Sequence, residues 1–120
     1  SPNCHFVVVD SLPLNHSPKL KSEIWNNVHK GMRDAIITKN GTGKKADPAI
    51  KGFELYGKTG TAENPHGDNH AWFVGWSDYN GKKYSIVILL ENAGSGGSIA
   101  APIAKKVFNK IILGNEFVLK

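Results

Sequence analysis

Cysteine and long apolar runs are scarce in this sequence, and each shortage excludes a class of protein. Cys4 is the only cysteine, so the chain forms no internal disulfide and suits a reducing or an oxidising compartment. No stretch approaches the ~20 apolar residues of a membrane span. Ser1-Pro2-Asn3 lacks the basic and apolar regions that open a signal peptide, so an exported protein would carry its targeting segment upstream.

Long charged runs are also lacking. The 120 residues include 15 basic and 10 acidic ones, a net charge of +5, but nowhere five basic residues in a row. Such scattered charge is typical of a solvated surface and selects neither nucleic acid nor anionic lipid as a partner. With 40% hydrophobic and 21% charged residues, the chain is predicted to be globular, and its length allows one domain or part of one.

Hydrophobic periodicity predicts a strand and then a helix in the first third of the chain. His5 to Asp10 is β-branched and reads as a short strand. Apolar residues at every fourth position predict an amphipathic helix from about Lys21 to Thr38, ended by Asn40-Gly41-Thr42-Gly43. Gly31 inside this helix suggests close packing. The apolar stripe consists of Leu20, Ile24, Val28, Met32 and Ile36.

Three strands and a second helix are predicted in the remainder. The strand candidates are Phe53–Ala62, His70–Asp78 and Tyr84–Glu91. Asn80-Gly81 predicts a tight hairpin, and five aliphatic residues from Ile86 to Leu90 indicate burial on both faces. A glycine-rich joint, residues 93–98, leads into a helix with Pro102 in its first turn and Gly114 at its end. The predicted fold is therefore α+β, an antiparallel sheet with packed helices.

The segment Lys58-Thr59-Gly60-Thr61 in the first of these strands is the strongest candidate for a functional site. An ammonium group on a strand edge favours anionic groups and oxyanion transition states. Thr59 and Thr61 alternate with Gly60, so both hydroxyls are predicted to face one side of the strand. Gly60 has no side chain and allows a ligand close to the backbone. The segment contains Lys-Thr-Gly, which belongs to the signature set of penicillin-binding proteins and serine β-lactamases.

Longer segments extend this match. They are Gly57 to Glu63, His70 to Trp76 and Leu90-Glu91-Asn92, with Gly31-Met32 and Gly41-Thr42-Gly43 upstream. Together they resemble the end of a class B penicillin-binding protein, and are most similar to the elongation-type penicillin-binding protein 2. The resemblance implies that residues 1–120 are the C-terminal portion of a transpeptidase domain with the penicillin-binding protein and serine β-lactamase fold.

The resemblance also implies an activity. The family's enzymes are D,D-transpeptidases that crosslink peptidoglycan stem peptides through a serine acyl-enzyme and are acylated by β-lactams. They are anchored upstream in the inner membrane and work on its periplasmic face. Implied partners are stem peptides, β-lactams, the remainder of the domain and, potentially, membrane proteins of the elongation complex. No cofactor, metal or nucleic acid is expected.

Site roles follow from the same resemblance. Lys58 and Thr61 occupy catalytic positions, while Lys58, Thr59, Gly60 and Thr61 occupy substrate-binding positions. The two threonine positions bind the substrate carboxylate in the family. The Thr61 backbone N–H supplies half of the oxyanion hole, and Lys58 orients the site electrostatically.

Two family motifs are missing. Neither Ser17-Pro18-Lys19-Leu20 nor Ser22-Glu23-Ile24-Trp25 has lysine at the fourth position, so Ser-x-x-Lys is absent. Ser1-Pro2-Asn3 satisfies Ser-x-Asn but lies too near Lys58 for the family's spacing. The catalytic-serine portion is therefore expected upstream, and this chain alone is expected to be inactive.

Other interpretations remain open from the sequence. The segment Trp72 to Trp76 also resembles class D β-lactamases and β-lactam sensor domains, and an inactive binding or scaffold module fits a chain without a nucleophile. His66, Asp68 and His70 could suggest a metal site, but they fall in a turn without a second ligand pair. Residues 94–98 lack the rest of a phosphate-binding motif. Trp72 and Trp76 are expected to pack in the core rather than to stack on nucleic acid.

Overall fold

The computed structural model describes residues 18–114, so the strand expected at His5 to Asp10 lies outside the described residues. Within that range, the elements are α1 (Ser22–Ile37), β1 (Glu54–Ala62), β2 (His70–Tyr79), β3 (Lys82–Leu90) and α2 (Ala101–Leu113). A 3-10 turn at Lys44–Ala46 follows α1, and a π-helical turn at Gly96–Ala100 precedes α2. The α+β prediction is confirmed, and strand bounds differ from the expected ones by one or two residues.

The three strands form one antiparallel sheet in the order β1-β2-β3. Lys58 is opposite Val74, which is opposite Val87 on the next strand. Asn80 and Gly81 have φ of 51° and 75°, the two positive values that a type I′ hairpin needs. The hairpin prediction is confirmed, and β1 is left at the edge of the sheet that the described residues form.

One face of the sheet, here called the helix-covered face, forms the core. Alternate residues of the strands point to it, among them Leu55, Phe73 and Ile88, and the first two are fully buried. Ile36 from α1 and Phe108 from α2 join the same cluster. Burial of such side chains stabilises the fold by about 1.5–3 kcal/mol each.

The opposite face, here called the open face, is apolar but exposed. Val87 is 68% exposed and Leu89 is 38% exposed. The expected burial of Ile86 to Leu90 on both faces is therefore wrong for the described chain, because α1 reaches this face at Tyr56 and Trp76, through His29, and leaves Val87 and Leu89 on β3 exposed. Trp72 and Trp76 lie here too, half-buried rather than in the core, and the Trp76 ring stacks on Tyr56 at a centroid distance of 4.0 Å.

Helix α1 has its predicted length to within one residue at each end. Its apolar stripe is covered only towards the C-terminus, since Ile36 is buried while Ile24 and Val28 remain close to half exposed. A Cβ on Gly31 would meet nothing within 4 Å, so the expectation of close packing there is wrong.

Helix α2 ends where the sequence predicts. Gly114 has φ of 67°, and its N–H donates to the Lys110 carbonyl, as in a left-handed helix cap. The glycine-rich connection predicted at residues 93–98 is already helical from Gly96 onward. Neither helix within residues 18–114 has both the length and the apolar character of a bilayer span.

Candidate functional site

The outer edge of β1 carries the candidate site. The Arg33 side chain on α1 donates from Nη1 to the Leu55 carbonyl at 2.9 Å, so this carbonyl points away from β2. In an antiparallel ladder, residues two apart present their N–H and C=O groups to the same side. The backbone groups of Thr59 and Thr61 therefore also point outward. The Lys58 ammonium donates to the Thr59 carbonyl at 2.6 Å, which agrees with this orientation.

The two threonine hydroxyls lie on the helix-covered face. Thr59 is 8% exposed, and its Oγ1 is 2.8 Å from Oγ1 of Thr42 in the loop after α1. Thr61 is exposed, and its Oγ1 accepts a hydrogen bond from the Gly96 N–H at 3.3 Å. The structure thus places both hydroxyls on one side of the strand, as their alternation with Gly60 predicts.

Lys58 lies on the open face, the opposite side from the two hydroxyls. Its cross-strand neighbour Val74 is apolar, and the ion pairs formed within residues 18–114 do not include Lys58. The ammonium reaches round the strand to the edge, where it meets the Thr59 carbonyl. The Lys58 charge and the two hydroxyls therefore lie on opposite sides of the same strand, and the ammonium reaches the edge between them.

Gly60 and Gly96 allow two backbones to lie against each other behind the motif. A Cβ on Gly96 would fall 2.3 Å from the carbonyl oxygens of both Gly60 and Trp72. Any side chain there would push the π-helical turn off the strand. A Cβ on Gly60 would lie 3.2 Å from Cβ of Trp72 on the open face. The motif glycine therefore leaves room for its cross-strand neighbour Trp72.

The loop after the motif is tied to the turn after β3. The Asn92 N–H donates to Nδ1 of His70 at 3.0 Å, and the Gly94 N–H donates to the Asn69 carbonyl at 2.8 Å. The Asn64 amide donates to the Asn92 side chain. His66 is exposed, and residues 18–114 bring no three His, Cys, Asp or Glu side chains together as a metal site.

Tyr56 is the titratable side chain near the motif with a shifted pKa. Its partial burial raises the pKa above the ordinary value of 10.0, and so do the hydrogen bond to Glu54 at 3.1 Å and that carboxylate's charge. Arg33 and Lys83 act in the opposite direction. The raised pKa favours the neutral phenol, whose ring stacks on Trp76.

Sequence reasoning identified the motif but missed its supports. The sequence marks Thr42 as part of a helix stop and of the family resemblance, and Gly96 as part of a glycine-rich connection, but it gives neither a contact with the motif, and it does not mark Arg33 at all. These contacts join residues 17 to 35 positions apart, so neither periodicity nor local motifs reveal them. A surface cleft elsewhere, lined by Tyr79, Lys82 and Ile111 among others, lies at the hairpin end of the sheet, away from Thr61.

Comparison with known proteins finds sequences related to this chain. The peptidoglycan D,D-transpeptidase MrdA of Haemophilus influenzae is 35% identical, over 78% of this chain and 16% of that protein. PbpA of Mycobacterium tuberculosis, also a peptidoglycan D,D-transpeptidase, is 33% identical, over 55% of this chain and 15% of that protein. The chain therefore spans a small part of the length of these curated relatives.

A solved structure shares the fold. The crystal structure of Pseudomonas aeruginosa PBP2 in complex with WCK 5153 has a TM-score of 0.69 to this chain at 28% identity, covering 94% of this chain and 24% of that one. The family model described as the penicillin binding protein transpeptidase domain matches residues 8–109. The chain therefore belongs to the transpeptidase-domain family of penicillin-binding proteins.

Proposed function

We propose that this chain is the C-terminal portion of the transpeptidase domain of a peptidoglycan D,D-transpeptidase that β-lactams acylate. The observation that carries the proposal is the edge of β1. There the backbone groups of Thr59 and Thr61 face outward, and the Lys58 ammonium donates to the Thr59 carbonyl. Membership of the family supports reading this edge as the place where substrate binds.

The edge suits an extended peptide with a terminal carboxylate. Free N–H and C=O groups at a strand edge recruit a further strand by main-chain hydrogen bonds. Thr61 Oγ1 accepts from the Gly96 N–H, which leaves the Thr61 hydroxyl proton free to donate to a carboxylate. Lys58 adds a positive charge to the same place. A stem peptide ending in D-alanine, or a β-lactam with its carboxylate, has this chemistry.

The reaction proceeds through a serine that this sequence does not contain. The serine oxygen bonds to the penultimate D-alanine carbonyl carbon and gives its proton to a base. The Thr61 N–H and the Lys58 charge stabilise the oxyanion, a contribution typically worth about 100-fold or more in rate. The peptide bond then breaks as the terminal D-alanine nitrogen takes a proton. An amine of a neighbouring stem attacks the ester, forms the crosslink and releases the serine.

In this proposal, the remainder of the transpeptidase domain packs on the open face. Val87 and Leu89 on β3 are large apolar side chains at 68% and 38% exposure. Contiguous exposed apolar surface marks an interaction site. We place the serine-bearing portion of the domain on this face, which also brings it to the side of the sheet that carries Lys58.

The location is part of the same proposal. Family membership supports a role in cell-wall synthesis. The proposed enzyme is anchored in the inner membrane by an upstream segment, faces the periplasm, and works beside membrane proteins of the elongation complex.

Labelling with fluorescent penicillin tests the proposal. The full-length protein should form a stable adduct that mass spectrometry assigns to a serine outside residues 1–120, and residues 1–120 alone should form none. Rapid deacylation would favour the class D β-lactamase-like alternative, and a full-length protein that never labels would favour a binding or scaffold module. An adduct on a serine of residues 1–120 would contradict the assignment of the nucleophile to the upstream part.

A further inference from the structure

Thr42 lies outside the motif strand, yet its hydroxyl contacts the motif. Its Oγ1 is 2.8 Å from Oγ1 of Thr59, a residue 17 positions later in the chain. Thr59 is almost fully buried, whereas Thr42 remains exposed at the surface of the loop. The contact therefore joins a buried motif hydroxyl to a side chain that solvent reaches, and the proposed reaction gives Thr42 no role.

The loop that carries Thr42 is fixed on both sides. The Gly43 N–H donates to the Ala35 carbonyl at 2.9 Å, which ties the loop to the last turn of α1. On its other side, a Cβ on Gly97 would fall 2.8 Å from the Thr42 carbonyl oxygen. The π-helical turn therefore lies directly against the loop backbone. A residue held in this way presents its hydroxyl in one place, which a mobile loop residue would not.

The direction of the hydrogen bond decides what Thr59 can offer a ligand. A hydroxyl has one proton and two lone pairs. If Thr59 donates to Thr42, its proton is unavailable to a carboxylate. If Thr42 donates instead, the Thr59 proton is free, and the chained hydrogen bonds strengthen each other. In the structure Thr59 Oγ1 donates to Thr42 Oγ1 at 2.8 Å, and because both hydroxyls can rotate, the same distance also suits the reverse direction.

We propose that Thr42 is a positioning residue for carboxylate recognition: when a carboxylate binds, the pair of hydroxyls reverses, so that Thr42 donates to Thr59 Oγ1 and the Thr59 proton is directed to the ligand. This inference rests on the proposed function and adds a residue to it. Thr42 touches neither the carboxylate nor the reacting atoms. Its effect is confined to how well the motif binds an anion before the acylation step.

The test uses the full-length protein and benzylpenicillin. Stopped-flow acylation separates the dissociation constant of the non-covalent complex from the acylation rate constant. Thr42→Val keeps the shape and removes the hydroxyl, so it should weaken non-covalent binding roughly fivefold, as expected for one lost hydrogen bond. The acylation rate constant should stay within about twofold. Thr42→Ser should restore binding, because it keeps the hydroxyl.

Thr38→Val is the matched control. Thr38 is in the same loop after α1, and its hydroxyl donates a hydrogen bond to the Asp34 carbonyl. This variant should therefore bind benzylpenicillin like the parent. Should melting curves show that Thr42→Val does not fold, Thr42→Ala removes the same hydroxyl without a methyl group to accommodate. Thr42 is exposed, so either substitution is expected to fold.

A benzylpenicillin ester distinguishes positioning from a general structural effect. The ester has no anionic carboxylate, so parent and Thr42→Val should bind it within about twofold of each other. Equal losses with acid and ester, a serine variant as impaired as the valine variant, or parental binding by Thr42→Val would each overturn the inference. A parent that benzylpenicillin never acylates would instead overturn the proposed function, and the role of Thr42 with it.

Discussion

Both faces of the sheet carry large apolar side chains, but the surroundings of these side chains are opposite. Phe73 on the helix-covered face is fully buried, whereas Val87 on the open face is 68% exposed. The motif divides in the same way. Thr59 and Thr61 are supported from the helix-covered face by contacts within this chain, while Lys58 stands on the open face. This chain therefore fixes the hydroxyls by itself, and we infer that the rest of the domain completes the surroundings of the lysine.

The largest expected effect contrasts one side chain from each face. In residues 1–120, Phe73→Ala should lower the free energy of unfolding by about 3–5 kcal/mol, because it leaves a cavity in the only core that the described residues build. Val87→Ala should change it by less than about 0.5 kcal/mol, since the side chain is solvated. Urea unfolding followed by circular dichroism measures both.

In the full-length protein, Val87→Ala tests whether another part of the domain covers the open face. If the serine-bearing portion covers the open face, Val87→Ala should now cost about 1–2 kcal/mol, because its methyl groups lose burial. A cost that stays near zero in the full-length protein would contradict the proposed position of that portion.

A smaller effect is expected where the helix-covered face meets the motif. Gly96→Ala places a methyl group against the Gly60 and Trp72 carbonyls, so it should cost roughly 1–3 kcal/mol and displace Thr61. In the full-length protein, the acylation rate should fall as well. Gly31→Ala is the control, because its Cβ meets nothing and alanine favours a helix by about 1 kcal/mol. If Gly96→Ala lowers neither the stability nor the acylation rate more than Gly31→Ala does, the close approach of Gly96 to β1 and β2 does not support the motif.

The sequence predicts those parts of the fold that depend on local patterns. Alternation and the Asn80-Gly81 pair predict the strands and their hairpin, and Gly114 predicts the end of α2. The motif is a contiguous segment and is found for the same reason. Thr42 escapes prediction because its contact with Thr59 depends on how the loop after α1 meets a distant strand.

The aliphatic run of β3 shows a different limit. Five aliphatic residues in a row report the environment in which the sequence evolved, and the described residues supply only part of it. Ile88 and Leu90 are buried, while Val87 and Leu89 face solvent. The pattern predicted burial correctly for one face, and for the other it points to the proposed remainder of the domain.

The acylation rates of two motif variants test whether the edge of β1 binds and activates the substrate. In the full-length protein, Lys58→Ala removes the positive charge and should lower the second-order rate constant for benzylpenicillin acylation by about 100-fold. Thr61→Val keeps the backbone N–H and should lower it less. Melting temperatures should change little, because both residues are exposed. If both variants acylate at the parental rate, this strand is only the edge of a sheet and neither binds nor activates the substrate.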